Sequence, residues 1–450
     1  MSAIATVLAQ SGHSVSGSDA VDSPVLRNLE RLGVKVQVGH AASAVVGAEF
    51  VVASTAVPES NPELSAARDA GIPILRRRDL LPSFAQVQPF LSVAGTHGKT
   101  TTSSMLAVAL QAAGENPSFI VGAEVAALSA AAGYHHGRWM VLEADESDGT
   151  FLAGPRDGAL VTNLEPDHLE FWGGWDQLRE GFVEFLANTS GPRLVCADDA
   201  GSAALANDER AAAGRAISTY GVDPSATHRM VDLELGRGGS SFRLEGPAGG
   251  VRVDLAVPGQ HNAVNAAGAL ALAVELGVDA EAAARGLALH SGVARRFEHR
   301  GEVGGITFID DYAHLPTEVR AALAAGRSGG WERVVVVFQP HRYSRTEALG
   351  AEFGACFEDA DVVVLTDIYP AGEAPRPGVT GRLVLDAALE IDASADIRWA
   401  DNLEAAAEVL ATELRPGDIC LSVGAGDVTT IADLVQERLG SSGPASEGPA

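Results

Sequence analysis

The chain has 450 residues, 46% hydrophobic and 20% charged, which is enough for about three ordinary domains and unlike either a small stapled module or a disordered chain. Its 32 Lys and Arg stand against 59 Asp and Glu, and a formal charge of -27 argues against nucleic acid or an anionic lipid surface as a partner. Cys196, Cys356 and Cys420 are too far apart for a disulfide framework or a metal knuckle, and no apolar run reaches the roughly 20 residues that span a bilayer, so a reducing cytoplasm is expected.

Short Val/Ile/Leu-rich runs alternate with longer Ala/Leu-rich segments of helical period, the pattern of α/β domains with largely parallel sheets. Met1 to Ala9 reads as a helix already under way, followed by a turn at Gly12 and a short strand ending at Asp19. Strand-like Lys35 to Val38, Phe50 to Ala53 and Ile72 to Leu75 then point to a nucleotide-binding domain of Rossmann type over residues 1–88. Such a domain normally opens with a buried strand and a glycine-rich turn, because the backbone must approach a pyrophosphate there. Neither precedes the first helix in this sequence, and a start placed downstream of the native one is the expectation. A central domain over 89–291 opens with strand-like Pro89 to Ala94 and includes a turn-rich part from Gly221 to Gly259. A third domain is expected over 292–440, and the Gly/Ser/Pro-rich 441–450 reads as a disordered tail.

The sharpest chemical signal is Phe90 to Thr102, a strand, a small-residue turn and a helix predicted over Thr101 to Ala113. Gly95 and Gly98, on either side of Thr96 and His97, let backbone N–H groups curl around phosphate oxygens, Lys99 brings a point charge to the β/γ-phosphates, and Thr100 offers a hydroxyl to Mg²⁺. Val93 stands where the general Walker pattern has its first Gly. The next apolar run, Trp139 to Leu142, ends in Glu143-Ala-Asp-Glu-Ser-Asp148, where Glu143 is either a metal ligand or part of a solvated acidic loop. Ala159 to Thr162 leads to His168, a second metal ligand or a capping residue. Asn262 and Asn265 stand three apart on one predicted helix, suited to an adenine edge or to helix capping.

In the third domain, four strand-like runs end in polar clusters: Asp310-Asp311-Tyr312-Ala313-His314, Gln339 to Arg345, Asp367 to Glu373, and Gly424 to Asp427. In a parallel sheet these ends share one edge, which predicts a single composite site. Its arginines and histidines suit a carboxylate-bearing substrate.

Together these motifs resemble the Mur ligases, along nearly the whole chain. The resemblance rests on Ser16 to Asp19, Ser54 to Val57, Gly95 to Thr102, Glu143 to Phe151, Asn163 to His168, Pro258 to Ala266, Arg295 to Phe297, Asp310 to Glu318, Phe338 to Thr346 and Tyr369 to Glu373. It implies three domains: a truncated Rossmann-like one, a central P-loop ATPase-like one and a C-terminal Rossmann-like α/β one. The implied activity is ATP-driven joining of L-alanine to the carboxylate of UDP-N-acetylmuramate through an acyl phosphate, in the making of cell-wall precursors. By the same resemblance, Gly95 through Thr101 would hold ATP together with Asn262 and Asn265 at adenine, Arg296 at the γ-phosphate and Asp311 at the ribose. Thr100, Glu143 and His168 would hold Mg²⁺, with Mn²⁺ an alternative. Asp19, Ser54 and Arg77 would serve the UDP sugar. Tyr312, His314, His341, Arg342 and Arg345 would surround L-alanine, with Lys99, Arg296 and His314 in catalysis. Leu315 stands where the family commonly has a second His. A ligase adding a preformed peptide, a folylpolyglutamate synthase type and an inactive nucleotide-binding homologue remain open beside this reading.

Overall fold

Ser23 and Asn61 each accept a hydrogen bond from the backbone just ahead and are each followed by Pro, which starts the helices Pro24–Arg31 and Pro62–Asp69. Each helix joins a parallel pair of strands: β1 (Ser16–Asp19) with β2 (Lys35–Val38), and β3 (Val51–Ala53) with β4 (Ile74–Arg76). The computed structural model, which describes residues 1–54, 56–247 and 249–441, therefore places two separate two-stranded βαβ units in the first 88 residues. The helix Ser2–Gln10 buries Ile4 and Val7 in a cluster with Leu80, Leu81, Phe84, Phe90, Ile120 and Met140.

The chain divides into two compact units. Met1–Asp232, Phe242–Asp254 and Val264–His290 form the first; Leu233–Ser241, Leu255–Ala263 and the chain from Ser291 onward form the second. In chain order the next strands are β5 (Phe90–Ala94), β6 (Ser118–Val125), β7 (Ala130–Gly133), β8 (Met140–Glu143), β9 (Arg156–Val161), β10 (Arg193–Cys196), β11 (Ser218–Gly221), β12 (His228–Gly236), β13 (Gly239–Gly246) and β14 (Gly249–Leu255). They form one sheet in the order 14-13-12-11-10-9-5-8-6-7. β5 lies between β8 and β9, parallel to both, and is buried throughout, as a strand covered on both faces should be. Its helix, Lys99–Ala112, is buried from Thr100 to Leu110. Gly286 lets the helix Ala280–Leu287 press against it, since a Cβ there would lie 2.7 Å from Ala112 Cβ. The helix starts at Lys99 rather than at the predicted Thr101, because Gly98, at φ 73°, caps it. Arg156 opens β9 with 2% exposure and donates to the carbonyls of Phe151, Gly154 and Phe185, stapling the chain around the sheet.

The second unit holds β15 (Glu298–Val303), β16 (Ile306–Asp311), β17 (Val334–Phe338), β18 (Val362–Leu365), β19 (Ile397–Trp399) and β20 (Ile419–Val423), in the order 15-16-20-17-18-19. β15 is an antiparallel edge and the other pairings are parallel. β16, β20, β17 and β18 therefore end on one edge, and their buried Val, Leu and Ile side chains feed a core on each face. Ser441 closes the last helix, Ile431–Ser441, and the rest of the expected tail, 442–450, lies outside the described residues. Among the described residues no helix is long and apolar enough to cross a membrane.

His290 is fully buried, its Nε2 lies 2.8 Å from Ser104 Oγ on the phosphate-loop helix, and burial lowers its pKa from 6.5 to about 4. A His held neutral binds its proton more weakly folded than unfolded, so its contribution is complete above about pH 6.5 and is lost as pH falls toward 4. We predict that the stability advantage of the wild-type chain over His290→Asn shrinks by about 1.4 kcal/mol per pH unit across that window, measured by denaturant unfolding. A pH-independent difference would contradict this account of His290.

Candidate active site

β5 ends at the phosphate loop, which is fastened to the end of β9. Gly95 has φ 137°, and a Cβ there would meet Thr162 Oγ1 at 2.1 Å. Gly98 has φ 73°, and its Cβ would lie 2.8 Å from Asn265 Oδ1. The His97 amide donates to Asn163 Oδ1 at 2.7 Å, and Thr162 Oγ1 and Asn163 Nδ2 donate to the His97 carbonyl. The Thr96 hydroxyl accepts from the Glu165 amide at 2.9 Å, and His97 Nε2 lies 3.0 Å from Glu165 Oε2. Asn163 and Thr162 thus fix the loop conformation from outside it. Thr101, like Thr100, is buried in the first turn of the helix.

Lys99 Nζ donates to the Gly95 and Thr96 carbonyls and to both oxygens of Glu146, at 2.9 and 2.8 Å. Thr100 Oγ1 donates to Glu143 Oε1 at 3.0 Å, and Glu143 Oε2 also accepts from the Gly122 amide. Glu143 is the last residue of β8, so the strand end carries it to the loop. A hydroxyl and a carboxylate side by side are oxygen donors of the kind Mg²⁺ takes along with phosphate oxygens and water. His168 sits at φ 53° at the start of the short helix Leu169–Trp172, and its Nε2 lies 3.4 Å from Asp167 Oδ2. Among the described residues no three His, Cys, Asp or Glu side chains form a metal cage, which Mg²⁺ does not require. The two asparagines have different settings: Asn265 packs against Gly98, whereas Asn262 Nδ2 donates to the Pro258 carbonyl at 2.8 Å. Asp19 ends β1, Ser54 follows β3 and Arg77 follows β4, so each stands at the carboxyl end of a parallel strand.

In the second unit, the ends of β16, β17, β18 and β20 bring the polar clusters together. Asp311 is buried and accepts from the amides of Phe297 and Ala313, each at 2.8 Å, while burial raises its pKa to about 6. The guanidiniums of Arg295 and Arg296 each lie over the Tyr312 ring, 5.0 Å from its centroid. Their duties differ. Arg295 is tied to Asp310 at 3.2 Å and to the Gly424 and Gly426 carbonyls, whereas Arg296 has a looser neighbour in Glu318 at 3.8 Å. The His314 Nδ1 proton goes to the Tyr312 carbonyl at 2.9 Å, which leaves Nε2 as the acceptor, and burial lowers the His314 pKa. His341 stacks on Tyr369, with centroids 5.8 Å apart and planes 9° apart, and lies 5.9 Å from the His314 ring. Arg345 Nη1 donates to His341 Nδ1 at 3.2 Å, and burial lowers the His341 pKa to about 4. Arg342 has φ 70° and starts the helix Tyr343–Phe353, with its amide on the Tyr369 carbonyl and its buried Nε without a partner. Leu315 is buried, and its amide and that of His314 donate to Glu318.

Sequence reasoning brought Lys99, Thr100 and Glu143 together, and Tyr312, His314, His341 and Arg345. Glu146, Asn163, Glu318 and Tyr369 fall within the motifs read from the sequence, which gave none of them a role. Glu318 carried a further signal, an acid at the third position of a helix that starts with Pro316.

The chain matches the Mur ligase family catalytic domain over residues 1–88, the Mur ligase middle domain over 93–273 and the Mur ligase glutamate ligase domain over 295–426. It is 47% identical over 447 residues to the UDP-N-acetylmuramate--L-alanine ligase of Kineococcus radiotolerans, covering 98% of this chain and 94% of that one. It is 44% identical over 450 residues to the enzyme of the same name from Renibacterium salmoninarum, covering 99% and 95%. Among solved structures, UDP-N-acetylmuramate-alanine ligase MurC of Thermotoga maritima aligns at TM-score 0.80 and 28% identity over 98% of this chain and 97% of that one. The murein peptide ligase of Psychrobacter arcticus shares the fold at TM-score 0.66 and 21% identity, over 99% and 97%. The chain belongs to the Mur ligase family, with its three-domain α/β architecture.

Proposed function

We propose that the protein is an ATP-dependent ligase that joins L-alanine to the carboxylate of UDP-N-acetylmuramate. The observation that carries this reading is the Gly95–Thr100 loop facing Glu143 in a chain that resembles L-alanine ligases along nearly its full length. The domains we assign are 1–88 for the UDP sugar, 89–291 for ATP and 292–440 for the amino acid. Asp19, Ser54 and Arg77 serve the sugar nucleotide, and Asn262 and Asn265 serve adenine. Arg296 serves the γ-phosphate and Asp311 the ribose.

The reaction follows from the charges. The sugar carboxylate attacks the γ-phosphorus, the β–γ bond breaks, and ADP leaves with the electron pair. The loop amides, Lys99 and Arg296 oppose the charge on the transferring group, a task of positioning and electrostatics. Thr100 and Glu143, with His168 as a further donor, would hold Mg²⁺, which supplies positive charge against the phosphate oxygens. The alanine amine then attacks the acyl carbon and phosphate leaves. Arg342 and Arg345 receive the alanine carboxylate. The amine must shed a proton, and His314, whose Nδ1 proton is held by the Tyr312 carbonyl and which burial keeps neutral, would accept it at Nε2.

Phosphate release is expected to need ATP, Mg²⁺, UDP-N-acetylmuramate and L-alanine together, and Lys99→Ala is expected to lower kcat by about 100-fold or more. Release with a preformed tripeptide but not with free L-alanine would overturn the substrate assignment. Arg345→Lys keeps the charge and loses the planar fork, so the KM for L-alanine should rise by about 10-fold or more while the KM for ATP stays put. An equal rise in both would count against Arg345 as an amino-acid contact.

A further inference from the structure

We infer that Glu146 is the resident counter-charge of the phosphate loop: it holds Lys99 when no nucleotide is bound, competes with the phosphates for it and reclaims it when ADP leaves. The inference rests on the reading of the loop as an ATP site. An ammonium group has three protons to give. In this loop they meet the Gly95 carbonyl at 2.6 Å, the Thr96 carbonyl at 3.2 Å and the Glu146 carboxylate at 2.8 and 2.9 Å. A phosphate oxygen reaches Lys99 only by displacing one of them. The two carbonyls are neutral and belong to the loop itself. Glu146 is the charged competitor, and it comes from the segment after β8.

Glu146 has no easy retreat. It is 2% exposed, and its backbone carbonyl accepts from the Trp172 indole at 3.0 Å and from the Gly149 amide at 3.2 Å. Its carboxylate therefore stays beside the loop whether or not phosphate is present. Without Glu146 the loop would carry a buried cation that has lost its hydrogen-bonded counter-charge, which is costly in the free protein and strengthens the attraction for polyphosphate. With it, the free loop is neutralised, and part of the attraction for ATP and ADP is spent on separating the pair. The effect falls on groups that carry phosphate charge and leaves the nucleoside alone. Glu143 differs in kind, because its partners are a hydroxyl and an amide rather than a cation.

The test is nucleotide binding by the full chain carrying Glu146→Gln, which keeps the size and one acceptor oxygen and removes the charge. Titration with a fluorescent ADP in the presence of Mg²⁺ should show about 10-fold tighter binding than wild type, with slower release in stopped flow. Displacement by adenosine should be unchanged. Should Glu146→Gln fail to fold, Glu146→Asp decides, since a shorter side chain loosens its hold on Lys99 and should tighten ADP binding by a few fold. Unchanged or weaker binding of ADP by the folded variant overturns the inference. A wild-type chain that binds no nucleotide overturns the ATP-site reading itself, and the inference with it.

Discussion

Gly95 and Gly98 leave no room for a Cβ, and that closeness is the constraint on which the site depends. The loop lies against Thr162 and Asn163 on one side and Asn265 on the other, with gaps that only hydrogen can fill. Because Asn163 and Thr162 occupy the backbone amide and carbonyl of His97, the conformation is set before any ligand arrives. Preorganisation of this kind is what makes backbone amides effective against phosphate charge, since nothing need be reordered when the charge develops. The buried β5 and the helix after it supply the rigid support.

The rest of the first unit reads as a means of keeping that loop in place. Gly286 lets a second helix press against the loop helix, and Ser104 ties the same helix to His290. β8 ends at Glu143, so the sheet itself brings a carboxylate to Thr100. In the second unit the equivalent constraint is parallel order. β16, β20, β17 and β18 run the same way, so residues scattered from Asp311 to Asp427 meet at one edge. There one arginine of a pair is anchored by Asp310 and two carbonyls, while the other has a looser neighbour in Glu318.

Much of this was legible in the sequence, for identifiable reasons. The phosphate loop declares itself because glycine, lysine and threonine are needed at fixed spacing, and the strand ends of the third domain because polar clusters follow Val/Ile/Leu runs. What stayed hidden depends on distance in the chain. Glu146 looks like one acid among several in an acidic stretch, and only the fold shows it aimed at Lys99. Asn163 opens a motif read from the sequence, but its task shows only when its side chain is seen on the His97 backbone. Several strands were also passed over. β7 is Ala-Ala-Ala-Gly, which carries no β-propensity, and β15 is the charged, half-exposed Glu-His-Arg-Gly-Glu-Val of a sheet edge. Leu315 is buried, a setting that suits its apolar side chain.

In the proposed reaction the loop activates a carboxylate by phosphoryl transfer before the amine attacks. The most direct measurement uses UDP-N-acetylmuramate labelled with oxygen-18 in its carboxylate, incubated with the protein, ATP, Mg²⁺ and L-alanine, with mass spectrometry of the released phosphate. An acyl phosphate predicts that one labelled oxygen moves from the carboxylate into phosphate for each amide bond formed. Amide formation that leaves the phosphate unlabelled would contradict the account.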